Sequence, residues 1–104
     1  MINTKFVYEK GNLKQLTVSG HANYKAYGKD IVCAAVSTAI IVTANAIKHL
    51  KLDQKVDLTI EEGYFKCVLK QDDVTTIGLI KNLEYTLNDI EKQYPKYMKN
   101  QKEG

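Results

Sequence analysis

Arginine and tryptophan are missing from this chain of 104 residues, and proline occurs once, at Pro95. All fifteen basic residues are therefore lysine. Reading of base edges draws on the forked guanidinium and on aromatic stacking, so direct reading of nucleic acid is not expected. The net charge of +3 is small, and Lys92, Lys96, Lys99 and Lys102 supply much of it near the C-terminus. That basic end either draws the protein toward an anionic surface or simply keeps it soluble. No apolar run reaches the roughly 20 residues of a membrane span: the longest, Ile31 to Ala46, is interrupted by Ser37, Thr38, Thr43 and Asn45. The N-terminus lacks the charged-then-apolar layout of a secretory signal. No membrane is expected, and the expected compartment is the cytoplasm. Cysteine is scarce too. Cys33 and Cys67 should stay reduced there, and with His21 and His49 they form no C-x-x-C or H-x-x-x-H pair. No metal or other cofactor is expected.

What is present is alternation broken by turns. Thr4, Phe6 and Tyr8 alternate with Lys5, Val7 and Glu9, Lys10-Gly11-Asn12 marks a turn, and Leu13 to Ser19 resumes the alternation. These two runs read as a hairpin. Gly20 to Lys29 shows neither period and reads as a loop. Asp30 precedes an Ala-rich, mostly apolar helical run ending near Leu50. Val56, Leu58 and Ile60 then share one strand face, Glu62-Gly63 turns, and Phe65, Cys67 and Leu69 share the next. After Asp72 and Asp73, Ile77, Ile80, Leu83, Leu87, Ile90 and Tyr94 recur at helical spacing until Pro95. The order ββαββα predicts an α+β fold, a two-layer domain with an antiparallel sheet and helices packed on one face. A single domain over residues 1–98 is expected, with 99–104 a basic, disordered tail. The first helix is more apolar than one sheet and one neighbour need, which predicts a homodimer.

The residues able to do chemistry lie at the start of that helix. Cys33, three residues after Asp30, falls in the first turn of the expected helix, where free backbone N–H groups and the dipole stabilise a thiolate. His21, twelve residues earlier, could be brought back by the loop as the base. Against this, a lone cysteine in an Ala-rich helix is commonly a small core residue, and a His beside a Gly is commonly a turn residue. Residue types alone leave both readings open. Cys67, between Phe65 and Leu69 on one strand face, reads as core. His49, in the last helical turn, reads as a partner of the terminal carbonyls.

Read as one stretch, Gly20-His21-Ala22-Asn23-Tyr24 followed by Gly28-Lys29-Asp30-Ile31-Val32-Cys33-Ala34-Ala35-Val36-Ser37 resembles the signature of the ribosomal-processing cysteine protease family. The eighteen residues match that pattern without a gap, and Tyr94-Pro95-Lys96-Tyr97 resembles the family's closing segment. The resemblance implies a cysteine endopeptidase of ribosome biogenesis. Such an enzyme removes the N-terminal extension of a large-subunit ribosomal protein, acts as a homodimer and has a mobile loop between His and Cys. It implies Cys33 as nucleophile and His21 as base, with Gly20, Asp30 and Ser37 in the site.

Roles for the other residues keep two readings each. Asp30 either caps the helix, on the Val32 N–H, or orients His21. A bond to the Cys33 N–H is disfavoured because it would consume an oxyanion donor. Ser37, four residues after Cys33, either faces the thiolate and substrate or bonds back to its i−4 carbonyl. Gly20 either bends the chain or admits substrate backbone, Gly28 reads as a hinge, and Tyr24 and Tyr27 line or cover the pocket. The alternative of a different class is a non-catalytic ribosome-assembly binding factor, which has no need of a reactive Cys33. A thiol redox protein would need a resolving cysteine that the chain does not offer.

Overall fold

The computed structural model describes residues 1–20 and 27–104, with 27–30 described by backbone alone. Two hairpins, two helices and a last strand follow one another. They are β1 (Ile2–Glu9), β2 (Asn12–Ser19), α1 (Tyr27–His49), β3 (Val56–Glu61), β4 (Tyr64–Leu69), α2 (Val74–Gln93) and β5 (Met98–Glu103). The α+β class and the two layers are as expected from the periodicities. Lys10 and Gly11 both take positive φ, 51° and 81°, the two-residue turn whose twist suits a hairpin. Lys14 is an extra residue in β2: Val7 faces Gln15 and Tyr8 faces Leu13. The resulting bulge lets Leu13, Leu16 and Val18 all point inward.

The sheet differs from expectation in one strand. Its order is β3-β4-β2-β1-β5, and β5 lies parallel to β1, so the sheet is mixed rather than antiparallel. Residues 99–104 are thus not a disordered tail: Ile2 opposes Met98 and Val7 opposes Glu103 along the full length of β5. The segment Met-Lys-Asn-Gln-Lys-Glu has little strand propensity of its own. Tertiary contacts hold it. Met98 is buried, and the Asn100 side chain donates to Leu87 O and Asn88 Oδ1, each at 2.9 Å. The Asn100 backbone N–H donates to Glu91 at 2.7 Å, and Thr4 donates its hydroxyl to Asn100 Oδ1.

Both helices cover the face built by Ile2, Phe6, Leu13, Leu16, Val18, Phe65, Cys67 and Leu69. α2 starts where Asp73 accepts from the Thr76 N–H at 2.9 Å and ends with Tyr94 ahead of Pro95. α1 buries Val32, Val36, Ile40, Thr43 and Ile47 at the i, i+3/i+4 spacing. It starts four residues earlier than expected and runs for 23 residues, past the polar interruptions. Over Ile31–His49 its mean hydropathy is 1.8, so by length and composition it is long and apolar enough to cross a membrane. The run Ile31 to Ala46 ends three residues short of this stretch. In this fold the helix lies against α2 and the sheet, and Ile31 and Val42 remain exposed on its far side.

Candidate active site

Between α1 and the turn end of the β3–β4 hairpin lies a cleft of about 190 Å³, the space of about six waters at roughly 30 Å³ each. Ile2, Val18, Ile60 and Phe65 form its apolar floor, and Cys33, Val36, Ser37, Ile40 and Ile41 form the helical wall. Gly20 and Gly63 close one end. They are tied together, the Gly20 N–H donating to Gly63 O at 3.1 Å. Gly20 has φ +94°, and a Cβ there would stand 2.3 Å from Met1 O. Only glycine fits both the dihedral and the approach. The close neighbour is thus the chain's own N-terminal strand.

Three of the expected site residues, Gly20, Cys33 and Ser37, come together in this cleft. His21 and Tyr24 lie outside the described residues, as does most of the segment 20–29 read as a loop. The remainder of that segment is a correction: residues 27–29 are already helical, so Gly28 is inside the first turn rather than a hinge before it.

The helix start also changes the electrostatics. Asp30 is the fourth residue of α1 and Cys33 the seventh. Asp30 is therefore not an N-cap. A residue four into a helix has helical dihedrals, whereas a cap stands outside them. The Cys33 N–H is engaged in the helical i→i−4 ladder, and the dipole's effect is confined to the first turn. A free-amide, dipole-stabilised seat for the thiolate at Cys33 is thus contradicted. The other expectation for Asp30, that it orients His21, lies outside the described residues. Ser37 is exposed beside the thiol. Thr43, further along the same helix, bonds back to Ala39 O at 2.8 Å. Ser37 makes no such bond among the described residues.

The other cysteine is of a different kind. Cys67 is fully buried on β4, and its thiol is pushed up to about 12 by burial and, secondarily, by the Asp57 carboxylate. Cys33 is only half-buried, so the cleft presents one accessible thiol among the described residues. Sequence reading missed Ile41, Ile60 and Gly63. Ile41 and Ile60 are large apolar residues left exposed. For Ile41 the signal was an apolar helix face in excess of what the core needs; for Ile60, on β3, there was none.

An accessible thiol in the wall of an apolar cleft, on a two-layer α+β scaffold, is an arrangement that suits a thiol-dependent enzyme. The comparisons specify which. The family model for cysteine protease Prp matches residues 1–99, and the chain belongs to that family of cysteine proteases. The ribosomal processing cysteine protease Prp of Staphylococcus aureus is 28% identical over 92 residues, covering 85% of each chain. Its Bacillus subtilis counterpart is 34% identical over 59 residues, 56% of this chain and 52% of that one. A crystal structure from Streptococcus mutans superposes with a TM-score of 0.85 at 30% identity, covering 99% of this chain and 94% of the other. The S. aureus protease with a substrate peptide superposes with a TM-score of 0.86 at 23% identity, covering 99% and 100%.

Proposed function

We propose that this protease removes the N-terminal extension of a bacterial large-subunit ribosomal protein during ribosome assembly, using Cys33 as nucleophile and His21 as base. The observation that carries it is the placement of Cys33 in the wall of the cleft that Gly20 closes, Gly20 being the residue bonded to His21. His21 takes the thiol proton as Cys33 Sγ attacks the scissile carbonyl carbon. It then gives that proton to the departing amine as the C–N bond breaks, leaving a thioester. Water, deprotonated by the same imidazole, attacks the thioester carbonyl, and the C–S bond breaks to restore the thiol. Because the Cys33 amide is used inside α1, the donors to the oxyanion come from elsewhere in the site. The ribosomal-processing names of the relatives support the substrate. Two free cysteines accord with a reducing cytoplasm. The exposed Ile31 and Val42 of α1 supply a face for a homodimer.

Incubation of the pure protein with the extended ribosomal protein, read by product masses, should show loss of the extension. Cys33→Ala and Cys33→Ser should each abolish the cut and leave the fold intact, since a serine hydroxyl is not ionised there. His21→Ala should lower kcat by roughly a hundredfold or more. Cleavage by Cys33→Ala near the wild-type rate would falsify the proposal.

A further inference from the structure

β3 is the edge of the sheet on the side of the cleft. Its hairpin turns through two residues, Glu62 and Gly63, so Glu61 and Tyr64 are a hydrogen-bonded pair. Alternation then turns the N–H and C=O groups of Asp57, Thr59 and Glu61 toward β4, and those of Leu58 and Ile60 away from the sheet. Among the described residues no strand lies beyond β3 to receive them. The inward side chains of the same two residues part company. Leu58 packs against the core, whereas Ile60 is 62% exposed at the cleft, opposite Ile40 and Ile41 of α1. On the other face of the strand stands Glu61, followed by Glu62 in the turn. Neither forms an ion pair among the described residues.

We infer that the peptide substrate is bound as an added strand along the free edge of β3, paired with the main chain of Leu58 and Ile60. Pairing at an edge uses groups the sheet already presents in the right geometry. The period of two then puts an apolar side chain of the peptide between Ile60 and Ile41, and basic residues at the alternate positions facing Glu61 and Glu62. The inference rests on the reading of Cys33 as nucleophile, because that thiol in the same cleft makes the occupant a peptide.

Ile60→Pro removes one outward N–H without touching the β4 ladder, a change that edge strands tolerate. The probe is a synthetic peptide spanning the end of the ribosomal-protein extension, bound to the Cys33→Ala protein so that it is not cut. Adding Ile60→Pro should weaken binding at least tenfold. In the parent, the peptide should slow amide hydrogen exchange at Leu58 and Ile60. That measurement decides the matter if the proline variant does not fold. Glu61→Lys should weaken binding of a peptide with Lys at the facing position more than that of its Gln counterpart. Tight binding with exchange at Leu58 and Ile60 unchanged overturns the inference and leaves the Cys33 reading standing. A peptide that wild type does not cut and Cys33→Ala does not bind removes the reading of the site, and this inference with it.

Discussion

Cys67 stands on the inward face of β4 between Phe65 and Leu69, with its thiol shielded from water on every side. Burial holds it as the neutral thiol, far from the thiolate that alkylating agents require. Cys33 borders open space in the cleft. Iodoacetamide at neutral pH should therefore modify Cys33 many times faster than Cys67, read by peptide mass. The contrast survives the loss of the helix-dipole argument because access alone produces it. Equal rates in the folded protein would mean that the β4 face opens readily.

At the scale of the element, α1 shows how its ends are settled. Lys51 takes φ +59°, the Leu52 N–H donates to Ile47 O at 2.9 Å, and Leu52 is buried. That is a left-handed helix stop with its hydrophobic contact, occupied by a lysine where glycine is at ease. Lys51→Gly should stabilise the protein by about 0.5 kcal/mol, the αL penalty relieved less the added freedom of the unfolded chain. Thermal unfolding at constant pH measures it; a lower midpoint would show that the lysine stem packs usefully. α2 depends on Asp73, whose carboxyl is held at about 2, first by the Lys55 ammonium at 2.7 Å and then by Thr76. Its folded pKa lies below the ordinary value of 3.8, so its contribution is complete above about pH 4 and lost as pH falls toward 2.

At the scale of the molecule, β5 closes the architecture. Met98 is 1% exposed, and Met98→Ala should cost about 2–5 kcal/mol, a large part of the roughly 5–15 kcal/mol that holds a domain together. Deleting residues 98–104 should do worse, baring the edge of β1 and leaving Asn88 and Glu91 without their partner; denaturant melts would show it. A dispensable tail would leave the midpoint unchanged. Tyr8 fastens the same corner. Its hydroxyl donates to Glu84 of α2, and the Lys102 ammonium of β5 sits 4.4 Å from the ring centroid. Burial first, and then Glu84, push the phenol up from 10.0 to about 12. Its contribution is whole below pH 10 and lost between 10 and 12, so Tyr8→Phe should flatten the alkaline decline in stability over that window.

Much of this protein is determined by short-range pattern. The two hairpins, both helices and the burial of Cys67 follow from periods of two and 3.6 and from turn residues at Gly11 and Gly63. The proposed pairing of Cys33 with His21 was legible only as a motif of fixed spacing, because residue types alone suit a core cysteine equally well. Tertiary structure decided the rest. β5 is polar and gains its strand geometry from β1, Asn100 and α2, contacts up to 96 residues apart that no local window holds. The first turn of α1 forms across Gly28 despite its low propensity, which moves Asp30 and Cys33 away from the helix end. Nothing in Ile60 as a residue type distinguishes core from cleft. Its exposure follows from its place on the edge strand β3 at the cleft, and sequence periodicity assigns a face but not what covers it.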